Sequence, residues 1–191
     1  MLTALALLLA QAAAAEPPSI DAAPIPSLED AKTQIAKIDT AMFWYAFEGC
    51  DASKVREQIT DDFRMVHDLG GIVADSGDAF AGMLGEQCAA REAGGRNEGY
   101  KNRRLLVPGS DSVTPLGQWG VLHRGQHTFH ELRQRPAGAY GEGDPGGPTW
   151  VMTGGGRFLN IYQWMPEEGR FRMQETLSLD HGSAKDPQPQ D

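Results

Sequence analysis

The feature that most constrains this chain is a change of hydrophobic period near residue 100. Before it, apolar residues recur at helical spacing. Leu28, Ala31, Ile35, Ile38, Met42 and Tyr45 advance in steps of three and four along "SLEDAKTQIAKIDTAMFWYAFEGC". Ser27 is placed to cap this helix, with Glu29 and Asp30 at the positive end of its dipole and Gly49 as the stop. Asp51 caps a second helix over "ASKVREQIT", and Ser76 caps a third that carries Phe80, Leu84 and Cys88 one turn apart. Between these two, "DFRMVH" and "GIVAD" flank "DLGG" and read as a hairpin. After residue 100 the period becomes two. Strands are expected over about 100–107, 111–116, 118–132, 149–152, 156–165 and 170–180. Helices followed by a run of long strands give an α+β fold, with helices on one face of an antiparallel sheet.

The 191 residues suit one domain with a real core. The opening "MLTALALLLAQAAAAEPP" reads as a secretory signal peptide over 1–15, with Ala-x-Ala cleavage after Ala13 or Ala15. Its apolar run falls short of the roughly 20 residues that span a bilayer. A Pro/Ala-rich linker over 16–26 without core potential, a folded domain over 27–182 and a disordered tail over 183–191 follow. "RPAGAYGEGDPGGP" reads as a flexible hairpin tip. A net charge of −9 and a pI near 5.0 argue against nucleic acid or an anionic membrane as the main partner. Export to the periplasm or beyond makes a Cys50–Cys88 disulfide a natural expectation, and two buried thiols are the alternative.

The ordered series "TDDFRMVHDLGG", a helix with Cys88, "RRLLVPGS", "HRGQHTFHEL", "GRFLNIYQW" and "FRMQETLSLDHG" resembles the nuclear transport factor 2-like superfamily. It looks most like an exported bacterial branch of that superfamily, over roughly residues 28–182. The chain departs from the branch pattern at Asn160 and Leu179, where histidine and tyrosine are usual. The resemblance implies a strongly curved antiparallel sheet wrapped around the long first helix, a cone with an internal pocket. The superfamily holds ketosteroid isomerases, polyketide cyclases and dehydratases beside non-catalytic binding domains, so the fold alone does not decide the function.

Strand alternation sorts the side chains against that pocket. Trp119, Val121, His123, Gly125, His127 and Phe129 share one face, as do Phe63, Met65 and His67. On a strand, His123 and His127 stand about 13 Å apart at about 3.3 Å per residue, too far to hold one ion. A metal would need His67, His127 and His181 to converge from three strands, and neither a metal nor a cofactor is expected. General acid–base chemistry is the better fit, because an imidazole oriented by a carboxylate exchanges protons near neutral pH. Neighbours on a strand face opposite ways, so His67 should not pair with Asp68, nor Asp180 with His181. A dyad has to be cross-strand, such as His67 with Asp180.

The catalytic candidates are therefore His67, His127 and Asp180, and the ligand-binding candidates are His123, His181, Arg104, Trp119, Phe129, Asn160 and Tyr162. The structural alternative is that Asp68 bonds turn amides and the buried histidines bond backbone carbonyls. Two functions stay open. One is an exported, non-catalytic small-molecule-binding domain, homodimeric through its open sheet face. The other is a cofactor-independent lyase or isomerase using a pocket histidine and a cross-strand aspartate.

Overall fold

The computed structural model describes residues 23–183. The expected signal peptide, residues 16–22 of the linker and the tail from residue 184 lie outside the described residues. Helix α1 (Leu28–Phe47) begins where the Ser27 hydroxyl accepts from the Asp30 N–H at 3.2 Å. Its buried stripe is Ala31, Ile35, Asp39, Met42 and Ala46, so a carboxylate sits in the middle of an otherwise apolar face. Helix α2 (Ala52–Arg56) is capped by Asp51 and is shorter than expected. Ile59 and Thr60 already belong to strand β1 (Ile59–His67), where these β-branched residues are buried in the sheet.

Strand β2 (Gly71–Ala74) completes the expected hairpin, and helix α3 (Gly77–Ala89) follows with Ser76 as its cap. Strands β3 (Asn102–Leu106), β4 (Ser112–Leu116), β5 (Gly120–Arg135), β6 (Gly147–Met165) and β7 (Arg170–Ser183) form the rest. The stretches expected separately at 149–152 and 156–165 are one strand, because Gly154–Gly155–Gly156 stays paired to β5 and does not break the ladder.

The seven-stranded sheet runs in the order β2-β1-β7-β6-β5-β3, with β4 also paired to β5. One pairing departs from an all-antiparallel sheet: β1 and β7 run parallel, with His67 opposite Ser178. A parallel neighbour needs a long crossover, and everything from β2 to β6 supplies it. This pairing lays the end of β1 beside the end of β7, where the histidine cluster forms.

The core lies between α1, α2, α3 and the sheet, centred on Ile35, Val55, Ile59, Phe63, Tyr162, Phe171 and Met173. Residues 23–26 of the expected linker are not free of it. Ala23 and Ile25 pack on the core, and the Trp164 indole N–H donates to the Ala23 carbonyl at 2.8 Å. The Cys50–Cys88 disulfide ties the end of α1 to α3.

Candidate functional site

A cavity of about 180 Å³ lies between α1, α3 and the sheet. Its wall is almost wholly apolar: Met42 and Phe47 from α1, Phe80, Met83 and Leu84 from α3, Phe129 and Phe158 from the sheet. Gln87, His127, Thr176 and Ser178 are the polar exceptions.

His127 is held from behind by a buried charge pair. Arg104 on β3 binds Asp39 of α1 through Nη1, and both side chains are at most 4% exposed. The Arg104 guanidinium also lies 3.9 Å from the centroid of the Phe43 ring, so it is packed as well as paired. Arg104 Nε donates to Nδ1 of His127 at 3.3 Å. A nitrogen that accepts carries no proton, so the hydrogen-bond network assigns the proton of His127 to Nε2. That Nε2 is buried and has no partner among the described residues. Burial, and then the charge of Arg104, push the imidazole pKa down to about 3, so His127 is neutral.

A second group forms where β1 ends beside β7. Asp68 Oδ1 accepts from His181 Nδ1 at 2.7 Å, and Asp68 Oδ2 accepts from the His181 backbone N–H at 2.8 Å. These bonds hold the Asp68 carboxyl below its ordinary range, the backbone N–H contributing most. With Nδ1 donating to Asp68, Nε2 is the ring nitrogen left to accept from the Ser178 hydroxyl, 3.1 Å away. Strict alternation would put Ser178 and His181 on opposite faces. Asp180 takes φ +55°, and the β6–β7 register slips between Gly155 and Arg157, which together turn His181 back toward Ser178.

The His67 ring stacks on that of His181, with centroids 4.0 Å apart and planes 14° from parallel. Its Nδ1 accepts from the Leu69 N–H at 3.1 Å and also lies 3.1 Å from Asp68 Oδ1. Burial, and then the charge of His181, lower its pKa. Ligating atoms of His67, Asp68 and His181 lie within 4.8 Å of one another. Imidazole lone pairs lie in the ring plane, so two near-parallel stacked rings do not aim at a common point, and an ion would need one ring to turn.

The structure thus redistributes the residues singled out from sequence. His127 and Phe129 line the cavity, and His181 borders it through Ser178 and the Phe129 ring, whose centroid is 6.0 Å from its own. Asp180 is exposed and paired with Arg157, and the carboxylate that meets His181 is Asp68. Arg104, one of the ligand-binding candidates, is buried and held by Asp39. His123 lies deeper, with Nε2 3.1 Å from Asp111 Oδ2 and Nδ1 3.9 Å from Asp39 Oδ1. Asn160 is buried and accepts from the Thr176 hydroxyl at 2.7 Å. Tyr162 is fully buried, and burial raises its hydroxyl pKa well above the ordinary value. Trp119 is 44% exposed and stands outside the cavity. Sequence reasoning missed Asp39 and Ser178. Asp39 left one signal, an acid four residues after Ile35 in the apolar stripe of α1.

No protein-family model matches the sequence, and no curated protein matches it. Solved structures do. An NTF2-like protein with a cystatin-like fold from Novosphingobium aromaticivorans aligns with a TM-score of 0.56 at 14% identity, over 79% of this chain and 82% of that one. The fold is that of the nuclear transport factor 2-like superfamily. Two further structures share the fold of this chain. A Streptomyces avermitilis protein, described as a proposed dehydratase of the NTF2-like family, gives a TM-score of 0.54 at 12% identity, over 80% and 97%. A Catenulispora acidiphila protein in complex with S-DNPA gives 0.56 at 8% identity, over 78% and 94%. At these identities the likeness is one of fold. Within this fold the cavity occupies the sheet face that α1 and α3 cover, and the histidine cluster meets it at Ser178.

Proposed function

We propose that this domain is exported and binds a small, largely apolar molecule in the cavity beneath α1 and α3. The carrying observation is an apolar cavity of about 180 Å³ with His127, a neutral donor whose Nε2 lacks a partner, in its wall. A cavity of about 150 Å³ accommodates benzene, so the space suits a single substituted ring. An unpaired buried donor costs about 1–3 kcal/mol, which a ligand bearing a carbonyl, ether or phenolic oxygen would recover by drawing the His127 ring, whose Nε2 lies beside Gly156, toward the cavity. The Cys50–Cys88 disulfide supports an oxidising compartment, periplasmic or extracellular. The S-DNPA complex of the Catenulispora protein supports the small-molecule class of ligand.

The test is a panel of substituted benzenes, with and without an acceptor oxygen, followed by calorimetry and thermal shift. Acceptor-bearing rings should bind more tightly than plain hydrocarbons, and Ala46→Phe, which fills the cavity, should abolish both. A folded wild-type protein that binds none of them rejects the reading.

The Asp68–His181 hydrogen bond supports a second reading, a cofactor-independent lyase or isomerase. His181, oriented by Asp68, would take a proton from carbon on the bound molecule, in place of the His67–Asp180 dyad expected from sequence. The proposed dehydratase among the fold neighbours lends support. Solvent deuterium entering a bound carbonyl compound, and failing to enter with Asp68→Asn, is the result expected of this chemistry.

A further inference from the structure

We propose that Asp68, His181 and Ser178 form a nucleophilic relay, and that the domain cleaves small esters of apolar acids through an acyl-Ser178 intermediate. This rests on the cavity binding a small apolar group, because the acyl group has to occupy it.

The relay is a continuous chain of hydrogen bonds. Asp68 accepts from His181 Nδ1 at 2.7 Å, and Nε2 faces the Ser178 hydroxyl at 3.1 Å. Such a chain has the parts of an activated nucleophile: a hydroxyl, a base within reach of its proton, and a carboxylate that fixes the tautomer and stabilises the imidazolium once it forms. Asp68 is itself anchored. Its second oxygen takes the His181 backbone N–H, and its own backbone N–H donates to the Ser178 carbonyl at 3.0 Å. All three residues are therefore tied to one another through main chain and side chain.

Ser178 is the member that meets the cavity. It is 6% exposed and lines the wall, and the bond to His181 is the one hydrogen bond its Oγ makes among the described residues. The φ of +55° at Asp180 and the slipped register opposite it bring His181 back to Ser178. His127 lines the same cavity with its ring centroid 6.1 Å from that of His181, and its Nε2–H, which has no partner among the described residues and lies beside Gly156, would serve a developing oxyanion once the ring turns toward the cavity.

The steps balance with water as the second substrate. Ser178 Oγ attacks the ester carbonyl carbon while its proton passes to His181 Nε2. The tetrahedral adduct collapses, the bond to the alcohol oxygen breaks, and the alcohol leaves with the proton from Nε2. Water then attacks the acyl-serine and gives a proton to Nε2. Collapse releases the acid, and the proton returns to Ser178 Oγ. This differs from the lyase reading, in which His181 takes a proton from carbon and no covalent intermediate forms.

The experiment treats the folded protein with p-nitrophenyl acetate and, separately, with an alkyl fluorophosphonate. It follows p-nitrophenol release and maps adducts by mass spectrometry. We expect a burst of product and one adduct on Ser178. Ser178→Ala should lose both, and His181→Gln and Asp68→Asn should be slowed by about 100-fold or more. Binding of a substituted benzene to Ser178→Ala reports whether the cavity survives. Wild type that binds the ring but forms no Ser178 adduct overturns the relay and leaves the binding reading standing. Undiminished hydrolysis by a folded Ser178→Ala overturns it equally. Loss of binding and acylation together in folded wild type removes both proposals.

Discussion

Arg104 donates from Nε to Nδ1 of His127 while its Nη1 holds Asp39, so one buried guanidinium joins helix α1 to the wall of the cavity. The pair is closed to water, and its loss cannot be screened by solvent. Removing one partner of such a pair leaves an uncompensated buried charge, at a cost of about 3–5 kcal/mol. Asp39→Ala should therefore lose about that much in urea unfolding. Asp39→Leu combined with Arg104→Met should lose clearly less than the two single changes added. A loss below about 1 kcal/mol in Asp39→Ala would show that the pair does not hold the helix to the sheet.

The acid side of the stability profile should carry the signature of His127. Its pKa lies near 3 in the folded protein, below the ordinary 6.5, through burial first and the charge of Arg104 second. Above pH 6.5 neither the folded nor the unfolded state binds the proton. Between 6.5 and about 3 only the unfolded state does, so stability falls as pH falls, by up to about 1.4 kcal/mol per unit. His67 and His130 are also lowered by burial and add slope of the same sign. The lowered Asp68 carboxyl weighs in only below its ordinary 3.8. Unfolding of wild type and His127→Phe from pH 7 to 4 isolates the effect, and the variant should give the flatter line. Parallel lines would mean that His127 is not held neutral.

The contrast between what could and could not be read from sequence is physical. Helix starts were legible because capping is local: the Ser27, Asp51 and Ser76 side chains each accept from a backbone N–H three residues on. Most of the inward set on β5 was legible because a regular strand alternates: His123 and His127 are buried and Phe129 lines the cavity, whereas Trp119, just before the strand, stands exposed. The partner of His181 was not legible, because regular alternation would turn His181 to the other face and Asp180 breaks that alternation. Nor was the parallel β1–β7 contact, since alternation names a face but not the direction of the neighbour. Arg104 and Asp39 stand 65 residues apart, and nothing local to either announces the other.

Gly156 is fixed by its neighbours. A Cβ there would stand 2.7 Å from the Leu179 carbonyl oxygen, 3.4 Å from His127 Nε2 and 3.5 Å from His181 Cδ2. The first contact is with backbone and cannot be relieved by a rotamer. Gly156→Ala should cost about 1–3 kcal/mol and shift the His127 and His181 ring resonances together in NMR. Gly82, inside α3 with nothing within 4 Å of the same added atom, is the control. Gly82→Ala should stabilise by about 0.5–1 kcal/mol through helix propensity. Equal effects at the two positions would contradict the packing described around Gly156.

The disulfide links stability to the cavity. Cys50 and Cys88 are 38 residues apart, and closing a loop of that size restricts the unfolded chain by about 3–4 kcal/mol in the chain-entropy model. The closed segment contains α2, β1, β2 and most of α3, and α3 supplies Phe80, Met83 and Leu84 to the cavity wall. For a domain of this size the stabilisation corresponds to a melting shift on the order of 10 °C. Calorimetry of the oxidised protein, the reduced protein and the Cys50→Ser/Cys88→Ser double variant tests this. The last two should melt together, below the first, and should bind a substituted benzene more weakly because α3 is less firmly seated. If reduction lowered the melting temperature but left binding untouched, the disulfide would be holding the chain without shaping the cavity.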